Sequence, residues 1–145
     1  MNWEPLIEAA LEVRQRAYAP YSGYFVGAAL LCADGTIHVG CNVENASYPV
    51  GFCAERSALA AAVSAGRREH LAIVIATPGP TPGTPCGMCR QALNELAPDL
   101  PILLVTPGGA RQEHTLSELL PGSFGPAMLR ESIELPAQIR LDLDE

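Results

Sequence analysis

Apolar positions recur at helical spacing over residues 3–18, at Leu6, Ala9, Ala10, Val13 and Ala17. They predict an amphipathic helix, which Ala19-Pro20-Tyr21-Ser22-Gly23 breaks. Val26 to Cys32 is a strongly apolar run, and Asp34-Gly35 turns it into a second strand from Thr36 to Gly40. Asp-Gly between two such runs is a hairpin signal. Asn42 to Gly51 is polar and irregular and reads as a loop. Cys53 to Ala65 is Ala-rich and stops at Gly66, which predicts a helix with a glycine end. His70 to Ala76 is a short β-branched strand, and the Pro/Gly/Thr stretch from Thr77 to Pro85 is loop. Pro85 suits the start of a helix running from Cys86 to about Ala97. Ile102 to Val105 reads as a buried strand, Leu116 to Leu120 as a short helix, and Pro121 to Pro126 as another loop. The residues that follow mix acidic and apolar positions and receive no assignment.

This order of helix, hairpin, helix, strand, helix and strand predicts helices on both faces of a mixed sheet. The strand-helix-strand step from residue 70 to 105 is expected to be parallel and right-handed.

Two predicted helix starts carry the chemistry. Cys53-Ala54-Glu55 opens one, and Pro85-Cys86-Gly87-Met88-Cys89 opens the other. Free N–H groups and the helix dipole at such ends favour a thiolate. Structural zinc sites close with four protein ligands, whereas catalytic sites stop at three and keep a position for water. Cys53, Cys86 and Cys89 with Glu55 beside them therefore read as a zinc-activated water with a proton carrier. Three cysteines and a glutamate in this order are a known signature of zinc deaminases. Arg56 and Arg90 each directly follow a ligand-bearing segment and are candidate donors to thiolate sulfur. The competing readings are a structural zinc or a redox pair. A structural site needs a fourth ligand from Cys32, Cys41, His38, His70 or His114, and none of these has a matching pair spacing. A redox pair leaves Cys53-Ala-Glu55 unexplained. Cys32 and Cys41 read as buried free thiols.

Composition narrows the substrate. With 145 residues, 48% hydrophobic and 17% charged, the chain is that of one globular domain with an ordinary core. Its net charge is −7 and its longest basic run is Arg67-Arg68, so no nucleic-acid partner is expected. No signal peptide and no bilayer-length apolar run is evident. Five cysteines without a secretion signal point to a reducing compartment, the cytoplasm.

The chain resembles the small, homotetrameric, all-cysteine cytidine deaminases over roughly residues 5–126. The resemblance rests on Ala19-Pro-Tyr-Ser-Gly-Tyr-Phe-Val-Gly-Ala-Ala29, Asn42-Val-Glu-Asn-Ala-Ser-Tyr48, Cys53-Ala-Glu-Arg56, Pro85-Cys-Gly-Met-Cys-Arg-Gln91 and Leu120-Pro-Gly-Ser-Phe-Gly-Pro126. It implies a three-layer α/β/α fold with a five-stranded mixed sheet, formed by a deaminase domain at 1–126, and a C-terminal extension at 127–145. It implies zinc-dependent hydrolytic deamination of cytidine and deoxycytidine, with attack at C4 of the pyrimidine. One zinc per chain would be held by Cys53, Cys86 and Cys89, and Glu55 would shuttle protons. Asn42 and Glu44 would hold the ribose 3′-hydroxyl, with Ala54 and Tyr24 also at the substrate. Phe124 would reach a neighbouring subunit's site in a homotetramer, with Ala46 and Tyr48 near the subunit contact. Two departures stand out: Tyr24 where the family often has Phe, and Ala127-Met128-Leu129 where acidic residues are common. A deaminase of a cytosine-bearing antibiotic, of the blasticidin S type, shares the Cys-Ala-Glu and Pro-Cys-Gly-x-Cys-Arg-Gln elements. A non-catalytic zinc-binding interaction module is the rival from another class.

Overall fold

In the computed structural model, residues 1–132 are described. Helix α1 spans Glu4–Arg14, strand β1 Gly27–Cys32 and strand β2 Ile37–Cys41. Helix α2 follows at Ala54–Ser64, then β3 at His70–Ala76, α3 at Gly87–Asn94 and β4 at Pro101–Val105. Strand β5 at Arg111–Thr115 and the short helices α4, Leu116–Leu119, and α5, Pro126–Ser132, complete the described chain. Only residues 127–132 of the C-terminal extension are described; residues 133–145 lie outside. Pro126, read from sequence as the end of a loop, instead opens α5, as its preset φ allows.

The strands form one sheet in the order β2-β1-β3-β4-β5. Only β3 and β4 run parallel; the other pairs are antiparallel. The sheet is therefore five-stranded and mixed. Strand alternation sorts the core into two layers. Ala28, Leu30, Ile73, Ile75, Ile102 and Leu104 point one way, into a layer shared with Ala54, Ala58, Ala62 and Leu93 of α2 and α3. Ala29, Ala72, Val74, Leu103 and Val105 point the other way, against Leu6, Ile7 and Ala10 of α1. Full burial of each large aliphatic side chain contributes about 1.5–3 kcal/mol, so both helix layers are held by the sheet itself.

Two glycines let the helices approach. A Cβ on Gly27 would run into the Ala10 carbonyl and the Arg14 backbone of α1, and one on Gly40 into the backbone of Ala54 and Ala58 of α2. The second approach matters for the site, because it presses the N-terminal turn of α2, with Glu55, onto the sheet.

Strand β5 has no counterpart in the strand pattern read from sequence. Its residues, Arg-Gln-Glu-His-Thr, are polar and mostly exposed, and it pairs with β4 along one edge.

Candidate active site

Cys53 is the N-cap of α2 and Cys86 the N-cap of α3, so both thiols sit where helix N–H groups converge. Cys89 lies one turn into α3 and is fully buried. The Sγ atoms of Cys53 and Cys86 are 3.8 Å apart, and the three sulfurs all lie within 4.8 Å of one another. Among the described residues, no other His, Cys, Asp or Glu forms such a group. Cys32, Cys41, His38, His70 and His114 therefore supply no fourth ligand.

The charge balance of this cluster calls for a cation. The Cys89 thiol hydrogen-bonds toward Cys53 and, with Arg56, holds the Cys53 thiol down at about 5. The same contact with Cys53, followed by burial and the Glu55 carboxylate, pushes the Cys89 thiol up. Three sulfurs this close cannot all ionise on their own. A soft divalent ion such as zinc resolves the conflict, and three thiolates suit it. The donor set thus fits zinc, with Cys53, Cys86 and Cys89 as the residues that hold it.

Glu55 is in the first turn of α2 and is 5% exposed. Its Oε2 is 3.5 Å from Cys89 Sγ. Burial raises its carboxyl above the usual range, and the Cys53 thiolate adds to that effect. The Arg56 guanidinium donates to Cys53 Sγ at 3.9 Å. Arg90 behaves differently. Its Nε donates to the Pro85 carbonyl and its Nη1 to the Leu119 carbonyl, both at 2.7 Å. Arg90 therefore buckles the residue before Cys86 to α4 rather than donating to a sulfur.

A cavity of about 520 Å³ opens over these groups. Cys53, Ala54, Glu55 and Cys86 form its floor, and Tyr24, Asn42, Glu44 and Tyr48 line its walls. Backbone bridges hold the wall in place. Val43 pairs with both Tyr18 and Phe52, so the 42–44 segment is tied directly to the residue before Cys53. Asn42 Oδ1 accepts from Val26 N at 2.9 Å, and its Nδ2 donates to the Tyr24 carbonyl at 2.7 Å. Glu44 accepts from the Tyr21 and Ser22 N–H groups at 2.9 and 3.1 Å and from the Ser22 hydroxyl. These bonds, the Ser22 hydroxyl first, hold its carboxyl below the usual range. An amide and a carboxylate each retain further hydrogen-bonding capacity in such an arrangement.

Ser22 and Thr77 are site residues that sequence reasoning missed. Ser22 reads as part of a helix-breaking segment, yet its hydroxyl links Glu44 to the Tyr24 N–H at 3.0 Å. Thr77, read as plain loop, lines the cavity and accepts the Gly83 N–H at 2.7 Å.

Phe124 and Ala46 do not line the cavity. Phe124 is 57% exposed. Its carbonyl accepts from Gln91 and Asn94 of α3 at 2.9 and 3.3 Å, and Ser123 donates to Asn94. The helix that carries Cys89 thus also displays Phe124 outward. Ala46 is exposed on the same loop as Tyr48, whose ring meets Tyr21 edge-on at 5.7 Å.

Residues 1–103 match the family model described as the cytidine and deoxycytidylate deaminase zinc-binding region. A cytidine deaminase of Halalkalibacterium halodurans is 49% identical over 125 residues, covering 86% of this chain and 95% of the relative. One from Sporosarcina psychrophila is 42% identical, covering 92% and 99%. The crystal structure of a Burkholderia pseudomallei cytidine deaminase, 46% identical, superimposes with a TM-score of 0.82 over 86% of this chain and all of that one. Sequence, sheet order and thiol cluster agree, and the chain belongs to the zinc-binding cytidine and deoxycytidylate deaminase family.

Proposed function

We infer that this protein catalyses the zinc-dependent hydrolytic deamination of cytidine and deoxycytidine to uridine and deoxyuridine, a reaction of pyrimidine salvage. The observation that carries the reading is the three-thiol cluster, of which Cys53 and Cys86 line a cavity of about 520 Å³, with buried Glu55 against Cys89. Zinc held by Cys53, Cys86 and Cys89 would supply an activated water at neutral pH. The remaining chemistry belongs to the chain. Glu55 would take a proton from the water and deliver it to N3 of the pyrimidine, then take the proton of the new C4 hydroxyl and deliver it to the departing amine. Burial raises its carboxyl above the usual range, which favours the proton-holding form a carrier needs. Arg56 offsets the negative charge of the thiolates through Cys53. Asn42 and Glu44, already oriented by Val26, Tyr24 and Ser22, receive the ribose 3′-hydroxyl. Ala54 and Tyr24 border the base. The products, uridine and ammonia, balance one water consumed.

A homotetramer in the cytoplasm completes the reading. Tyr48 and Phe52 line the cavity yet stay 75% and 45% exposed, and Phe124 is displayed outward. Exposed aromatics in such numbers mark surfaces that another protein covers. A neighbouring copy would place its Phe124 over the site, with Ala46 and Tyr48 near the contact. No helix among the described residues is long and apolar enough to cross a membrane.

The deciding experiment measures loss of cytidine absorbance with purified protein of known zinc content. Turnover with about one zinc per chain supports the reading; zinc-loaded protein without turnover refutes it. Light scattering that shows an active monomer at assay concentration would refute the assembly.

A further inference from the structure

Tyr24 lines the cavity, and its hydroxyl lies against Gly83. A Cβ placed on Gly83 would come 2.5 Å from Tyr24 Oη. The next nearest atoms, Thr77 Cγ2 and Oγ1, would be at 3.4 and 3.5 Å, which are ordinary contacts. The conflict is therefore with one atom. Gly83 does not have a positive φ, so its backbone does not call for glycine. Space for the Tyr24 hydroxyl is what the missing side chain supplies.

Both partners are anchored. Gly83 N donates to Thr77 Oγ1 at 2.7 Å, which ties the loop to the end of β3. Tyr24 N donates to Ser22 Oγ, and its carbonyl accepts from Asn42. These bonds fix the Tyr24 backbone and the 77–84 loop, and the half-exposed ring lies between residues Asn42 and Glu44 on one side and Thr77 and Thr84 on the other.

We propose that Gly83 is a positioning residue for substrate binding: its lack of a side chain seats the Tyr24 hydroxyl on the 77–84 loop and thereby sets where the Tyr24 ring meets the base. This rests on the reading of the cavity as a nucleoside site. A methyl group at 83 drives the ring off the loop and alters the binding surface. Cys53, Glu55 and Cys89 belong to α2 and α3, and Cys86, three residues on from Gly83, is held at the α3 N-cap; the atom in conflict is the tip of the Tyr24 side chain, so the damage falls on KM rather than kcat.

The test is a double-mutant cycle of zinc-loaded wild type, Gly83→Ala, Tyr24→Phe and the double variant. Gly83→Ala is expected to raise KM for cytidine about tenfold with kcat within about twofold, since a misplacement of ~1 Å can cost as much as 10²-fold. Tyr24→Phe removes the atom in conflict. Whatever it costs alone, adding Gly83→Ala to it is expected to raise KM less than about twofold further. Equal effects of Gly83→Ala on both backgrounds, or none on either, overturn the proposal. If Gly83→Ala does not accumulate, recovery of folded protein by Tyr24→Phe supports it, and failure on both backgrounds overturns it. A zinc-loaded wild type inert toward cytidine defeats the deaminase reading and this inference with it; an active wild type without coupling defeats only the inference.

Discussion

Cys89 and Glu55 meet at 3.5 Å, Sγ to Oε2, with both side chains buried. The contact joins the first turns of α2 and α3 at the base of the cavity. It places a thiol that must lose its proton to bind zinc beside a carboxyl whose pKa burial raises. The two residues therefore have separable roles, one in holding the metal and one in moving protons.

Each thiol is required for the metal. Cys53→Ala, Cys86→Ala and Cys89→Ala are each expected to lose zinc and with it cytidine turnover. Removing one of three leaves two ligands, too few for the site. Zinc content of the purified variants checks this, and full occupancy in all three would refute the ligand set.

Glu55→Gln keeps the shape of the side chain and one acceptor oxygen but carries no titratable proton. Turnover is expected to fall by about 10²–10⁴-fold, with zinc content and melting temperature near wild type. A variant with near-normal turnover, or one stripped of zinc, contradicts the proton-carrier role.

The zinc cluster was legible in the sequence because its parts are local. Two cysteines fall at helix N-caps and the third one turn later, so helix starts and spacing alone bring each segment into place. The hairpin, β3 and β4 were legible because continuous apolar runs mark buried strands. Strand β5 was not, because an exposed edge strand needs no apolar alternation and Arg111–Thr115 has none. Helix α1 ends at Arg14, short of the span that reaches Ala17 by periodicity, as the chain turns and Arg14 Nε takes the Phe25 carbonyl at 2.8 Å. The acceptors of Arg90 are hidden from the sequence for a related reason. Adjacency to Cys89 says nothing of where a long side chain finds its acceptors, and those are the Pro85 and Leu119 carbonyls. The Ser22–Glu44 and Tyr24–Gly83 contacts join distant segments, and no local pattern encodes them.

Asp34 pairs with Arg67 and accepts from Thr36, in an arrangement that closes the β1–β2 turn against the end of α2. The Thr36 bonds, with Arg67 adding to them, hold its carboxyl at about 2, below its ordinary 3.8. A depressed carboxyl contributes stability above its unfolded pKa and loses it as pH falls through the folded one. Asp34→Asn is therefore expected to lower the melting temperature at neutral pH, with the gap to wild type closing between about pH 4 and pH 2. Melting curves across that range check it, and a gap that does not change with pH would count against the assignment.

Substrate choice is the sharpest test, since the family's description spans both nucleoside and nucleotide deaminases. The chain has no lysine and carries a net charge of −7, and no arginine among the described residues lines the cavity. Glu44, at the wall proposed for the ribose, is held below the ordinary carboxylate range by Ser22 and Tyr21, so it stays anionic at neutral pH. An anion there repels a phosphate group and accepts a free hydroxyl. A site built to hydrogen-bond the sugar also rejects the bare base, which leaves those polar groups unpaired. Cytidine and deoxycytidine are therefore expected to be turned over, with little activity on cytosine, CMP, dCMP or single-stranded DNA. Product analysis with the six substrates side by side checks this, and deamination of dCMP or DNA at a rate comparable to cytidine would overturn the nucleoside assignment while leaving the zinc chemistry standing.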